Sequence, residues 1–217
     1  MCARFALHSD MASIRSRFGV RSKLRSEWAP RWNMKRGDEA PIIRRATNGR
    51  REIAVLKWGL ELDHPHLEAE GGPATGLAAR SLKRGALLST LFETNRCIAP
   101  LDVFYVTPPF ASKAHTWAFA QEDEATMGAA AIWIPGRDPN ESGHFAIILT
   151  SPNESVALLG ESMPAVLFPE QEREWLSTNT SPDSAYNLIK PYPADLMRAW
   201  PVAQLSGDGP SLLARVA

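Results

Sequence analysis

Apolar and polar positions alternate through most of the middle of the chain. "PIIRRA" (41–46) and "REIAVLKWG" (51–59) combine that alternation with β-branched side chains and predict two strands, which a turn at "TNGR" joins as a hairpin. A further strand is expected at "ARFAL" (3–7), and others at "HTWAFAQ" (115–121), "MGAAAIWIP" (127–135), "HFAIILT" (144–150) and "MPAVLF" (163–168). "RCIAPLDVFYV" (96–106) predicts two short strands meeting at Pro100, because proline cannot donate to a ladder. Helical spacing is confined to 11–19, to "RGALLSTLFETN" (84–95), and to two segments that start on a proline, "PEQEREWL" from Pro169 and "PADLMRAW" from Pro193. Residues 64–79 are rich in Gly, Pro and Ala without periodicity and predict a long surface loop. A sheet-rich body with helices at its margins is an α+β fold.

Length and composition fit one domain over 1–217: with 217 residues and 44% hydrophobic positions the chain can bury one sizeable core. Arg4, His8, Asp10 and Arg15 interrupt the N-terminal segment, and no apolar run approaches the roughly 18 residues that a membrane span needs. A cytoplasmic protein that does not enter a membrane is therefore expected. Two cysteines, Cys2 and Cys97, make neither a disulfide framework nor a zinc site, and Cys97 within "NRCIAP" reads as an inert buried thiol. The formal net charge is zero, yet residues 1–53 carry +8 and the remainder −8. The basic runs "RSRFGVRSKLR" and "RRATNGRR" are dense enough to neutralise phosphates, or simply form a solvated face balanced by acidic surface elsewhere.

Few short motifs carry chemistry. "DHPHLE" places Asp63, His64, His66 and Glu68 close together, but Pro65 splits the histidines and no further ligand pair follows at zinc spacing, so an ordinary loop is the better reading. "GDGPS" lacks the lysine and the strand-to-helix context of a phosphate loop and reads as a turn. The more informative feature is Cys2, directly behind Met1. Removal of Met1 would leave an α-amine and a thiol on adjacent carbons, a 1,2-aminothiol able to close a thiazolidine ring on an aldehyde.

An ordered series of segments gives that chemistry a context. "MCARF", "RWN" (31–33), "KWGL" (57–60), "AARS" (78–81), "RCIAPLDVFYV", "ESMPAVL" (161–167), "PYPADLM" and "WPV" together resemble the SRAP family, the SOS-response-associated peptidases that process abasic sites in single-stranded DNA. The resemblance implies a single SRAP-like domain with a β-barrel-like core and peripheral helices. It implies that Cys2 is the catalytic nucleophile, trapping the ring-opened sugar aldehyde of an abasic site, and that single-stranded DNA is the partner, with no cofactor and no metal. Arg4 and Arg80 become the phosphate contacts, with Ser81 beside Arg80 and Asn33 in the family's R-Y-N position. Trp58 becomes either a stacking platform for an unpaired base or a half-buried strand aromatic.

Departures from the family pattern fall on its chemical groups. Ala3 replaces a usual glycine, and Arg36 stands where a proline is usual after Asn33. The asparagine of the family's N-A-R-x-E segment is here Ala78. The glutamate of A-D-G-F-Y-E-W is Val106; the histidine and arginine of H-D-R-M-P are Gly160 and Ser162. A general acid or base typically contributes about 10² to 10⁴ in rate, so autopeptidase and lyase turnover are expected to be impaired. Two readings follow: a divergent abasic-site protein that retains slow capture through Cys2, or a catalytically inactive binding or regulatory module, of the kind a phage or mobile element carries.

Overall fold

The computed structural model describes residues 4–21, 28–60, 74–108, 115–138 and 141–216. Cys2, the "DHPHLE" cluster and most of the expected long loop lie outside the described residues. The hairpin forms as its pattern predicts: β3 (Glu39–Arg45) pairs with β4 (Arg51–Trp58) in unbroken antiparallel register from Glu39↔Lys57 to Arg45↔Arg51. On the other edge of β3 lies β6 (Arg96–Leu101), then β9 (Met127–Ile134), then β10 (His144–Thr150). β10 returns to β4 in parallel at His144↔Lys57 and Phe145↔Trp58, so the five strands close into a small barrel. β10 also carries β5 (Gly76–Ala78) and β11 (Met163–Pro164), while β9 pairs with β12 (Val166–Leu167). This is the α+β architecture with a barrel-like core that the sequence led us to expect.

A second, antiparallel sheet packs on the barrel. It comprises β1 (Arg4–Leu7), β2 (Arg31–Met34), β7 (Val103–Val106), β8 (Thr116–Gln121) and β13 (Met197–Val202), in the order β13-β8-β7-β1-β2. Period-two alternation sends Phe5, Phe104, Val106 and Phe119 into the main core. The intervening Ala6, Val103, Tyr105, Ala118 and Ala120 enter a smaller cluster covered by Trp200, Leu205 and Leu213. With both faces covered, these strands read as nearly continuous apolar runs. Phe5 pairs with Phe104, which pairs with Phe119 and stacks on it at 5.1 Å.

Short helices frame the two sheets. α1 (Met11–Arg17) is N-capped by Asp10, which accepts from Ser13 N at 2.8 Å. α2 (Ala86–Thr94) and α4 (Gln171–Trp175) lie where periodicity places them. α3 (Glu154–Ala157) and α5 (Pro182–Asn187), capped by Asn153 and Ser181, are too short for a periodic signal. Among the described residues no helix is long and apolar enough to cross a membrane.

Three expectations need correction. The break in 96–106 falls at Asp102, not Pro100: Pro100 stays in the ladder opposite Gly128. The Asp102 carboxylate gathers His8 N, Ser9 N and the hydroxyls of Ser9 and Thr126, all at 2.7–2.8 Å, and so forces the corner between β6 and β7. Pro193 starts only a single 3-10 turn over 194–196, after which β13 takes the whole edge of β8, from Met197↔Gln121 to Val202↔Thr116. Six ladder pairs outweigh a weak helical spacing. The expected loop 64–79 ends, in its described part, in β5 and a 3-10 turn at Ala79–Ser81.

Buried charge ties the helices to the barrel. Glu172 on α4 is 1% exposed and takes Arg17 of α1 at 2.8 Å and Arg51 of β4 at 3.1 Å. Gly128 makes room for it, since a Cβ there would lie 3.0 Å from Glu172 Oε1 and 3.1 Å from Phe18. Removing one partner of such a buried pair leaves the other uncompensated, at a cost of about 3 to 5 kcal/mol. Glu172→Ala is expected to lose about 3 kcal/mol, because both arginines can turn partly toward water. Urea unfolding checks it; a midpoint equal to the unsubstituted protein's would show that the pair does not tie the elements.

Candidate nucleic-acid interface

Of the candidate site residues, Arg4, Asn33 and Trp58 lie where the N-terminal strand meets the barrel seam. Arg4 pairs with Tyr105 on β7, one residue before Val106, and Phe5 pairs with Met34 on β2. Phe5 then meets Trp58 edge to face, with ring centroids 4.7 Å apart and an interplanar angle of 74°. Trp58 is fully buried, and its indole N–H donates to Thr75 O at 2.9 Å. Its rings thus present no open face to a base, which corrects the stacking-platform alternative: Trp58 is the wall against which β1 rests. Gly59 follows at φ +128°, a conformation that disfavours any side chain and lets the backbone turn directly behind the indole.

Arg4 is held by a chain of hydrogen bonds from the far end of the sequence. Its Nη1 donates to Asn33 Oδ1 at 2.6 Å, and Asn33 Nδ2 donates to Gly207 O at 2.7 Å. Asp208 Oδ1 accepts from Trp32 N at 2.6 Å and Asn33 N at 3.1 Å, and its Oδ2 from Arg31 Nε. Asn33 is 1% exposed, so it is a buried orienting group for Arg4 rather than a surface that meets DNA. Behind it, burial and then the nearby Asp208 charge hold the Tyr105 hydroxyl well above its ordinary pKa, where it stays a neutral donor to Trp32 O at 2.8 Å. The "GDGPS" turn therefore matters: Asp208 was not a site candidate, and nothing local marks a contact that spans 176 residues.

Val106 and Gly160 lie against each other. Val106 is 2% exposed, and a Cβ built on Gly160 would sit 3.0 Å from Val106 Cγ1. Gly160 ends the turn after α3, with its N–H on Val156 O at 2.9 Å, and Ser162 beyond it is partly exposed. β10 links this segment to the other one: Leu149 pairs with Pro164 on one side and Ala78 on the other, two strand spacings or about 10 Å apart. Arg80 is exposed and Ser81 half-buried on the 3-10 turn that follows. The structure thus brings Arg4 to Asn33 and Val106 to Gly160 by direct contact. It sets Arg80 and Ser81 on a separate turn, one that β10 connects to the Gly160 segment.

Chemically, the described part of this site offers cations and an apolar contact, with no proton-transfer group at Val106 or Gly160. No three His, Cys, Asp or Glu side chains converge as metal ligands among the described residues. Cys97 is fully buried on β6, and burial pushes its thiol well above the ordinary range, partly offset by Arg44.

The family model described as SOS response associated peptidase (SRAP) matches residues 1–208. The chain is 29% identical over 211 residues to the abasic site processing protein YoqW of Bacillus subtilis, covering 94% of this chain and 93% of that one. It is 29% identical over 213 residues to the abasic site processing protein YoaM of the same organism, covering 94% and 92%. A solved protein from Bacteroides thetaiotaomicron superposes over 100% of both chains with a TM-score of 0.85 at 20% identity. A phage-related protein from Bordetella bronchiseptica superposes over 94% of this chain and 95% of its own with a TM-score of 0.74 at 21% identity.

The burial of Cys97 has a direct consequence for thiol chemistry. Titration of the native protein with a disulfide reagent is expected to consume no more than one thiol quickly, and Cys2→Ala to consume none until the protein is unfolded. Fast reaction in native Cys2→Ala would mean that the β6 thiol is reachable.

Proposed function

The chain belongs to the SOS response associated peptidase family, and on that premise we propose that it acts at abasic sites in single-stranded DNA through Cys2. The observation that carries this reading is the convergence of the family's positions at one place. Arg4 with Asn33 and Val106 with Gly160 come from four separate segments and form two pairs on opposite faces of one sheet at the start of β1, where Arg4 lies opposite Tyr105, the residue before Val106. Cys2 is two residues from Arg4, a covalent tether of at most about 7 Å. The guanidinium of Arg4 would hold a phosphate beside the lesion, and Arg80 would take a neighbouring one.

The proposed chemistry needs a free N-terminus. Once the Met1–Cys2 peptide bond has been hydrolysed, the Cys2 amine adds to the C1 aldehyde of the open sugar and water leaves, giving an imine. The Cys2 thiolate then attacks the imine carbon, a C–S bond forms, and the nitrogen takes up a proton. The product is a thiazolidine joining protein to DNA, with one water lost overall. Because Val106 and Gly160 supply neither acid nor base, capture is slow, and β-elimination or release slower still. Slow, lasting attachment would shield the lesion.

A second reading is favoured by the same two residues: the chain binds DNA at this site and performs no chemistry on it. Incubation with abasic single-stranded DNA separates the two. The first reading expects a covalent species on a denaturing gel after hours, absent in Cys2→Ala and accompanied by loss of Met1 in intact-mass analysis. DNA binding with Met1 retained and no covalent species would establish the second reading.

The contact between Val106 and Gly160 adds a paired-substitution prediction. Val106→Glu alone buries an unpaired carboxylate and is expected to destabilise by about 3 to 5 kcal/mol. Adding Gly160→His supplies a partner at the same contact, and the double variant is expected to recover part of that loss and to cross-link at least about 10²-fold faster. Strict additivity in unfolding, with no gain in rate, would mean that the two positions do not act as a unit.

A further inference from the structure

The two basic runs of the N-terminal quarter, separated in sequence, meet at the end of the barrel away from Arg4. Arg51 opens β4, and its Nη1 donates to Phe18 O at 2.9 Å, pinning the turn after α1 against the β3–β4 hairpin. Arg15 Nη2 donates to Arg21 O at 3.2 Å and fixes that turn from the other side. Between the turns lies an open cleft of about 440 Å³ lined by Gly19, Arg21, Asn48, Arg50, Arg51 and Glu52.

The charge of this cleft is not balanced locally. Glu52 is taken by Arg44 at 2.7 Å, and Arg51 is held by the buried Glu172. Arg21 and Arg50 are exposed and have no acidic group within 4.0 Å among the described residues. Among the described residues no aromatic side chain lines the cleft, so its chemistry there is that of backbone-charge recognition. Gly19 has nothing within 4 Å of where a Cβ would be, leaving the floor open to a bulky anion.

We propose that this cleft is a second phosphate-binding site, which holds the backbone of the DNA strand flanking the one engaged at Arg4. The proposal rests on the reading of the Arg4 site as a DNA site. It adds a length requirement. The seven residue steps of β4 from Arg51 to Trp58, the residue under Phe5, span about 23 Å. A stacked strand places one phosphate every ~3.4 Å, so about seven nucleotides separate the two sites.

The test is fluorescence anisotropy with abasic oligonucleotides whose flanks are shorter or longer than that spacing, at several salt concentrations. For Arg21→Ala/Arg50→Ala, affinity for the long oligonucleotide is expected to fall by about tenfold, and the slope of log K against log salt to flatten by about one. Affinity for the short oligonucleotide should change less than twofold. Lys190→Ala serves as a control for loss of a surface charge elsewhere, and an unchanged melting temperature shows that the double variant is folded. Arg50→Glu alone should produce the same length-selective loss if the double variant proves unstable.

Equal effects on long and short oligonucleotides, or none on either, overturn the second site while leaving the Arg4 site intact. Displacement of the long oligonucleotide by inorganic phosphate at matched ionic strength, without any length dependence, overturns it in favour of a free-anion site. If the length-selective, salt-sensitive binding appears but abasic and intact strands bind alike, the cleft stands and the abasic-site reading fails.

Discussion

Closure of the barrel between β4 and β10 is the constraint on which the rest of the structure depends. The seam is only two residue pairs long, held by Lys57 N on Gly143 O at 2.9 Å and Gly59 N on Phe145 O at 2.8 Å. It needs glycine at 143, where a Cβ would lie 2.3 Å from Ile134 O. Trp58 plugs the closed end and meets Phe5, so the seam also fixes β1 and the direction in which Arg4 leaves it. Beyond the seam β10 has spare edge on both sides; β5 brings Ala78 and Arg80 to one, and β11 brings the Gly160 segment to the other. Four sequence-distant pieces of the candidate site, Trp58, Arg4, the Arg80 turn and the Gly160 segment, are thus placed by β10 and its short parallel bridge.

Polar groups then secure the joints that packing alone leaves loose. Arg96 is 7% exposed and donates to the carbonyls of Phe92, Trp175 and Ser177, at 2.9, 2.7 and 2.6 Å. It satisfies the ends of α2 and α4 at once, and burial lowers its pKa without discharging it. Asp102 does the same for the N–H groups that open the turn into α1, and Asp208 for the edge of β2. Each carboxylate or guanidinium collects several partners, so burial costs are offset locally. The β2 edge needs this most: only two residue pairs join it to β1, and without Asp208 its Trp32 and Asn33 amides would have no acceptor on that side.

The fold was legible wherever one strand's own pattern set its fate. The hairpin at 41–59, the strands at 127–135 and 144–150, and α2 could be placed from period and turn chemistry, because their partners accept whatever the local pattern presents. What could not be read was decided by distant competition. "PADLMRAW" becomes a strand because β8 has an open edge, and the β6–β7 corner sits at Asp102 because four donors from elsewhere converge there. At the candidate site, the segments themselves were visible as an ordered series, but their roles were not. Asn33 and Trp58 look like surface recognition residues in one dimension and are buried supports in three. Asp208 is invisible in sequence because its function lies entirely in contacts with residues 31–33.

Under the proposed function, Val106 and Gly160 on one side and Arg4 on the other follow a physical logic. A buried carboxylate and imidazole in contact support one another; take one away and the other is left unpaired at a cost of several kcal/mol, whereas replacing both by apolar or absent side chains is close to neutral. Val106 against Gly160 has the form of such a joint replacement: the valine fills space, and the glycine carries no side chain to clash with it. The cationic side is different. Arg4 is oriented by Asn33, Asn33 by Gly207, and that turn by Asp208, so the arginine is tied into the β2 edge and cannot be changed without loosening it. Under the proposed function, proton transfer was the separable part of the site and phosphate recognition the part welded to the fold, which leaves a protein suited to holding a lesion more than to turning it over.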